Sequence, residues 1–222
     1  GIQIAEGEYR FSGEPSVRFG RKKGPAESYT LEISEKGVKI LAADDAGEFY
    51  ARQSLEQMIR AAKESNGQVS LQCQIIEDCP RFPYRGLHID VSRHFFSIDF
   101  IKKQVDAMAM FKMNRLHLHL TDAAGWRMKI EPWPRLTEYA AWRPEANWKT
   151  WWNGDRAYVE EGTPGAYGGY YTKEELKSLV EYAAERHITV IPEIEMPGHS
   201  EEVLAAYPEV GCGGNPETHA DL

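Results

Sequence analysis

Beyond residue 84 the chain repeats one unit: a short run of alternating apolar residues, a helical pattern, and another such run. Leu87, Ile89 and Val91 alternate with polar neighbours as a strand does. Ile98, Ile101, Val105 and Met108 then fall on one face of a helix beginning near Ser97. Leu116, Leu118 and Leu120 alternate with His117, His119 and Thr121. After a long segment, 123–171, Thr172 and Glu175 make the capping signature of a helix whose apolar stripe is Leu176, Leu179, Val180 and Ala183. The run 188–194 is apolar enough for a strand buried on both faces, and a further helix is expected over 201–206, after Pro197-Gly198. Strands and helices in this order predict parallel strands with right-handed crossovers, so the fold class is α/β.

The first 80 residues have another rhythm. Strand-like runs at 29–34 and 38–42 flank Gly37, which predicts a hairpin. A helix is expected over 46–63, with Leu55, Met58, Ile59 and Ala62 on one face, and a strand over 69–76. Together these make a small α+β layer. Two prolines in Asp78-Cys79-Pro80-Arg81-Phe82-Pro83 interrupt any regular element, so the reading divides the chain into 1–80 and 81–222.

Composition limits the function. With 42% hydrophobic and 27% charged residues the chain reads as a globular protein. Its net charge of −8 is spread over interleaved acids and bases, with no basic stripe for phosphates, so nucleic acid is not expected as a partner. No apolar run approaches the roughly 20 residues that span a bilayer. The chain opens at Gly1 without a basic-then-apolar leader, which leaves export open. Cys73, Cys79 and Cys212 lack metal-like spacing, and a Cys73–Cys79 disulfide is expected only in an oxidising compartment.

The three strand-like runs after residue 84 share one further property: their C-terminal tips carry the titratable residues. The first ends at Asp90-Val91-Ser92-Arg93-His94, the second at His119-Leu120-Thr121-Asp122, the third at Glu193-Ile194-Glu195-Met196-Pro197-Gly198-His199. In a (β/α)8 barrel that is the working face. Arg93 offers a planar fork of donors that can clamp two sugar hydroxyls. Asp122 and His199 suit a carboxylate–imidazole pair, in which the acid fixes the tautomer. The segment 123–171 holds all six tryptophans, whose faces suit stacking on sugar rings or plain packing; Gly125-Trp126-Arg127 and Trp133-Pro134 read as structural. A competing chemistry is zinc on His117 and His119, completed by His199, Asp122 or Glu195. A zinc barrel wants its His-x-His on the first strand, and here it lies on the second, so no metal and no cofactor is expected.

Tyr84-Arg85-Gly86-Leu87-His88-Ile89-Asp90-Val91-Ser92-Arg93-His94-Phe95 resembles the first barrel strand of glycoside hydrolase family 20, the β-N-acetylhexosaminidases. Asn114-Arg115-Leu116-His117-Leu118-His119-Leu120-Thr121-Asp122, followed by Gly125-Trp126-Arg127, resembles the second, and Pro192-Glu193-Ile194-Glu195-Met196-Pro197-Gly198-His199 the third. The early layer, with Phe49-Tyr50-Ala51-Arg52-Gln53-Ser54-Leu55, resembles the family's non-catalytic domain. The resemblance implies a small α+β domain followed by the first three βα units of a truncated TIM barrel. It implies an enzyme that removes terminal non-reducing N-acetylhexosamine from an oligosaccharide or glycoconjugate by substrate-assisted retention. Arg93 would bind the sugar, and Asp122 with His199 would form a dyad supporting the catalytic acid. A periplasmic or extracellular location fits such a role. The sequence departs from the family at Ala123 and Glu195, where Asp is common, and has no Gly-Gly-Asp-Glu motif; Gly213-Gly214-Asn215-Pro216-Glu217 does not match it. The residues after Tyr84 fall well short of the about 250 of a complete barrel. The chain alone is therefore expected to be inactive, its open sheet edge covered by the rest of the barrel or by another chain. A non-catalytic carbohydrate-binding or scaffold relative is the alternative.

Overall fold

The computed structural model describes residues 1–62 and 64–212. The expected helix end at Lys63 and the stretch 213–217 therefore lie outside the described residues. The chain divides into two compact units, one of residues 1–85 with 106–114, the other of residues 86–105 with those from Arg115 onward.

The first unit is a sheet with a helix on it. Its strands are β1 (Ile2–Phe11), β2 (Val17–Arg21), β3 (Tyr29–Ser34) and β4 (Gly37–Ala42), then, after the helix α1 (Asp45–Ala61), β5 (Glu64–Ser65) and β6 (Gln68–Asp78). The order is β1-β6-β3-β4-β2, with β5 paired to β6; all pairs are antiparallel except β2 with β4. The hairpin expected around Gly37 is present, with Gly37 at φ +127°, where a side chain would be strained. Tyr29, Leu31 and Ile33 of β3 and Val38, Ile40 and Ala42 of β4 alternate into the core and meet Tyr50, Ala51 and Leu55 of α1. Met58, Ile59 and Ala62 extend the same face, as the periodicity predicts. Asp44 starts the helix: its Oδ1 accepts from Gly47 N and its Oδ2 from Glu27 N, both at 2.8 Å, which ties the first turn to the chain ahead of β3.

β1 and β2 were not expected from the sequence. β1 is an edge strand whose register breaks between Ile4 and Glu8; Ile2 and Ile4 are exposed, and only Tyr9 and Phe11 reach the core. The break hides the two-residue period on which strand reading depends.

The second unit holds a three-stranded parallel sheet in the order β11-β8-β7, from β7 (Gly86–Asp90), β8 (Arg115–His119) and β11 (Thr189–Glu193). The helix α2 (Ile98–Met110) follows β7, and α5 (Lys173–Ala184) precedes β11. Ile101 and Val105 are buried as the stripe predicts. The Thr172–Glu175 capping box is formed, with Glu175 N donating to Thr172 Oγ1 at 3.1 Å and Thr172 N to Glu175 Oε2 at 2.8 Å. Two expectations are corrected. Val180 is half exposed rather than part of the stripe, and Ile194 is 42% exposed, so the third strand is not buried on both faces. β11 is an edge strand of this sheet, so its outer backbone edge has no strand partner among the described residues.

Between β8 and α5 lie α3 (Arg135–Glu138), β9 (Trp142–Arg143), α4 (Trp148–Asn153) and β10 (Tyr167–Gly168), the two short strands pairing antiparallel. What holds this segment is a wholly buried guanidinium. Arg127 donates to the carbonyls of Val91 and Gly169 at 3.0 Å, of Ser92 and Ala141 at 2.6 Å, and of Ala124 at 3.2 Å. Five carbonyls replace the water such a cation loses. Gly125 makes the arrangement fit: a Cβ there would stand 2.5 Å from the Arg127 guanidinium carbon. Trp126 and Trp151 are buried packing residues, whereas Trp133 is half exposed. The helix α6 (Glu201–Ala206) and a 3-10 turn, Pro208–Val210, close the described part of this unit.

Candidate functional site

The turn after β7 is built by Asp90. Its Oδ1 accepts from the backbone N–H groups of Ser92 and Arg93, both at 3.0 Å, and its Oδ2 pairs with Arg93 Nη1 at 2.9 Å. The carboxylate thus shapes the turn and aims the guanidinium. Arg143 holds the same turn from behind, donating from Nη2 to the Arg93 carbonyl at 2.9 Å. Ser92 Oγ, fully buried, donates to the carbonyls of Asp122 and Gly125 at 3.1 and 2.9 Å and so links the tips of β7 and β8. At the third tip, Glu195 N donates to Thr121 Oγ1 at 2.8 Å, and Ser200 Oγ donates to the Glu195 and Gly198 carbonyls at 3.1 and 2.9 Å.

These turns bring Arg93, Asp122 and His199 together. One oxygen of Asp122, Oδ2, meets Arg93 Nη2 at 2.6 Å and His199 Nδ1 at 3.0 Å. A third group reaches the same oxygen: His119 Nε2, at 2.9 Å. Asp122 is buried, while His199 is half exposed and sits in the left-handed region at φ +53°. Burial works to raise the Asp122 carboxyl, but the His119 hydrogen bond and the charges of Arg93 and His199 outweigh it and hold the carboxyl below its ordinary value.

Beneath Asp122 lies a histidine cluster. Glu193 Oε2 is approached by His117 Nε2 at 2.8 Å, His119 Nδ1 at 3.0 Å and His88 Nε2 at 3.2 Å. The hydrogen bond to Asp122 raises the His119 imidazole most; burial opposes it, and the bond to Glu193 with the charges of Asp90 and Glu193 brings it to about 9. Burial works to raise Glu193, but hydrogen bonds from Glu195, His119 and His88 outweigh it and hold the carboxyl below its ordinary value; Glu195 lies above its own, chiefly through the hydrogen bond it shares with Glu193. His88, His119 and Glu193 offer atoms within 4.8 Å of one another, close enough to consider an ion. Both ring nitrogens of His119 already face carboxylates, so the group reads as a self-satisfied hydrogen-bond cluster. Of the zinc set weighed from the sequence, His117 and His119 converge on Glu193, and His119 and His199 both meet Asp122 Oδ2, so carboxylates already occupy these ring nitrogens.

A cavity of about 370 Å³ opens over this site, lined by Arg93, Asp122, Trp148, Trp152, His199 and Leu204. That is room for a small ligand. Two of the six tryptophans therefore face the site. Trp152 is backed by the Arg156 guanidinium 3.8 Å from its ring centre, and Arg156 Nη1 meets Glu201 Oε1 at 3.3 Å. Sequence reasoning missed the aiming role of Asp90, the hub at Glu193 and the part His119 plays. Their presence at the strand tips was visible, but partnership across three strands follows from register alone: Asp90, His119 and Glu193 are aligned by the two parallel pairings.

The model of the catalytic domain of glycosyl hydrolase family 20 matches residues 82–221, and that of the family's domain 2 matches residues 2–79. The chain belongs to glycosyl hydrolase family 20. Among its relatives in the family, a beta-hexosaminidase of Porphyromonas gingivalis is 44% identical over 190 residues, covering 84% of this chain and 22% of that protein. The solved GH20 exo beta-N-acetylglucosaminidase of Vibrio harveyi, in complex with N-acetylglucosamine, superposes with a TM-score of 0.80 at 28% identity, covering 95% of this chain and 37% of the other. The beta-N-acetylhexosaminidase of Bacteroides fragilis gives a TM-score of 0.79 at 32% identity, covering 96% and 47%. The chain thus spans well under half the length of the first two family members and just under half of the third. All three of its cysteines are free thiols, Cys73 buried and the other two exposed. No helix among the described residues is long and apolar enough to cross a membrane.

Proposed function

We propose that the protein carrying this chain removes terminal non-reducing N-acetylhexosamine residues from β-N-acetylhexosaminides with retention of configuration. The observation that carries this reading is the convergence of Arg93, Asp122 and His199 at one carboxylate oxygen under a tryptophan-walled cavity. The relatives named for hexosaminidase activity support the same reading.

In this reading the three parallel βα units are the start of a (β/α)8 barrel, and Arg93 donates to hydroxyls of the terminal sugar. The substrate's acetamido oxygen attacks the anomeric carbon, the C1–O bond to the leaving group breaks, and that oxygen takes a proton from a carboxylic acid. The Asp122–His199 dyad orients and tunes that acid. Water, giving its proton to the carboxylate left by that acid, then opens the cyclic oxazolinium ion at the anomeric carbon from the opposite side, so two inversions give net retention. The test is a full-length digest of an N-acetylglucosamine oligomer, followed by proton NMR of the first product. The expected result is single sugars leaving the non-reducing end as the β-anomer. Release of the α-anomer, or no release, contradicts it.

A further inference from the structure

We propose that His119 is a positioning residue for the site: by bridging Asp122 and Glu193 it fixes the carboxylate on which the Asp122–His199 dyad depends. The inference rests on the proposed hydrolase reading for its kinetic consequence, though not for its structural content.

His119 is the sole titratable side chain of β8 that is buried, and each of its ring nitrogens meets a carboxylate, Nε2 with Asp122 Oδ2 at 2.9 Å and Nδ1 with Glu193 Oε2 at 3.0 Å. A neutral imidazole has one N–H and can satisfy one of these acceptors; a protonated ring satisfies both. The charged and titratable groups facing it are Asp90 and Arg93 from β7 and its turn, Asp122 after β8, and Glu193, Glu195 and His199 from β11 and its turn, with His88 and His117 sharing the Glu193 oxygen. Arg93 Nη1 stands 3.2 Å from Nε2, farther than the Asp122 oxygen and without an acceptor to offer, so the Nε2 proton belongs to Asp122. The elevated imidazole, near 9, agrees with a ring charged at neutral pH.

Two effects on the site follow. A cation bonded to Asp122 keeps that acid ionised, so it can orient His199 without taking its proton. The second bond, to Glu193, stops the ring from turning, and Glu193 is a residue of β11 aligned with His119 by strand register. His119 does not line the cavity, and Arg93 keeps Asp90 as an anchor if Asp122 shifts. Loss of His119 should therefore fall on turnover rather than on substrate binding.

The experiment compares His119→Gln, His119→Asn and His119→Ala in the full-length protein with an aryl β-N-acetylglucosaminide. Gln places an N–H near the Nε2 position and keeps the bond to Asp122; Asn places one near Nδ1 and keeps only the bond to Glu193. The expected result is a kcat loss of about 10- to 100-fold in the Asn and Ala variants, a smaller loss in the Gln variant, and KM within about threefold of wild type in all. Equal losses in Gln and Asn, a loss carried by KM, or kcat within twofold throughout overturns the proposal. Nitrogen NMR of wild-type protein with labelled histidine reads the same contact without turnover: both His119 ring nitrogens should be protonated at pH 7.5, and an unprotonated Nε2 overturns the proposal even if every variant misfolds. If wild-type protein fails to cleave the aryl glycoside while the ring is doubly protonated, the hydrolase reading falls and the Asp122–His119–Glu193 bridge stands.

Discussion

Arg93 is anchored on both sides, by Asp90 at 2.9 Å and by Asp122 at 2.6 Å, with about a third of its side chain exposed. A guanidinium that two carboxylates already hold loses little freedom when it meets a sugar, and each hydrogen bond it then makes is charge-assisted. Arg93→Ala should therefore raise KM and lower kcat together, cutting kcat/KM by roughly 100-fold or more through a lost charged hydrogen bond and an Asp122 freed of one partner. Steady-state kinetics of the full-length variant reads this; unchanged constants would remove Arg93 from the sugar site. Arg127 and Arg143 look alike in sequence yet do another task. Both spend their donors on backbone carbonyls, and burial pushes the Arg127 guanidinium down to about 10. Arg93 was legible because it stands at a strand tip. Glu193 and His119 were not, since their importance comes from neighbours supplied by other strands.

At the scale of elements, the weak point is α6, the short helix behind His199. Glu202 in it is fully buried and finds no side-chain partner among the described residues. Burial chiefly raises its carboxyl, with the charges of Asp122 and Glu201 adding and its own backbone opposing, to about 8. The folded value lies above the ordinary one near 4.5, so folding takes up a proton as pH rises between the two. The stability this group contributes is complete below about pH 4.5 and is lost as pH climbs through 8. Glu202→Gln removes the titration. It should leave stability near that of wild type at pH 4.5 and exceed it by a few kcal/mol at pH 8.5. Denaturant unfolding at the two pH values reads the difference; a gap that does not widen with pH contradicts the account. Elements with an unbroken period, such as α1, the β3–β4 hairpin and β8, were legible in the sequence. β1 and β2 were not, because both are edge strands, β1 with a register break as well, and they bury too few side chains to leave a period.

On the scale of the whole molecule, the parallel sheet, the capped helix α5 and the tips of β7, β8 and β11 agree with what strand–helix alternation predicts. Pattern alone states that titratable groups gather at those tips. It does not state which of them touch, because contact depends on crossovers and on turns held by Asp90, Ser92 and buried arginines. The long aromatic segment shows the same limit: composition marks it, yet only packing separates buried Trp126 and Trp151 from Trp148 and Trp152 at the cavity. In the proposed function this rim serves an amino sugar whose acetamido group takes part in the reaction. Its most direct test is the ratio of kcat/KM for an aryl β-N-acetylglucosaminide to that for the matching aryl β-glucoside, measured on the full-length protein. The expected result is a preference of about a thousandfold or more for the acetamido sugar, as a site built for a polar group rejects the analogue lacking it. Comparable rates on the two glycosides would contradict it.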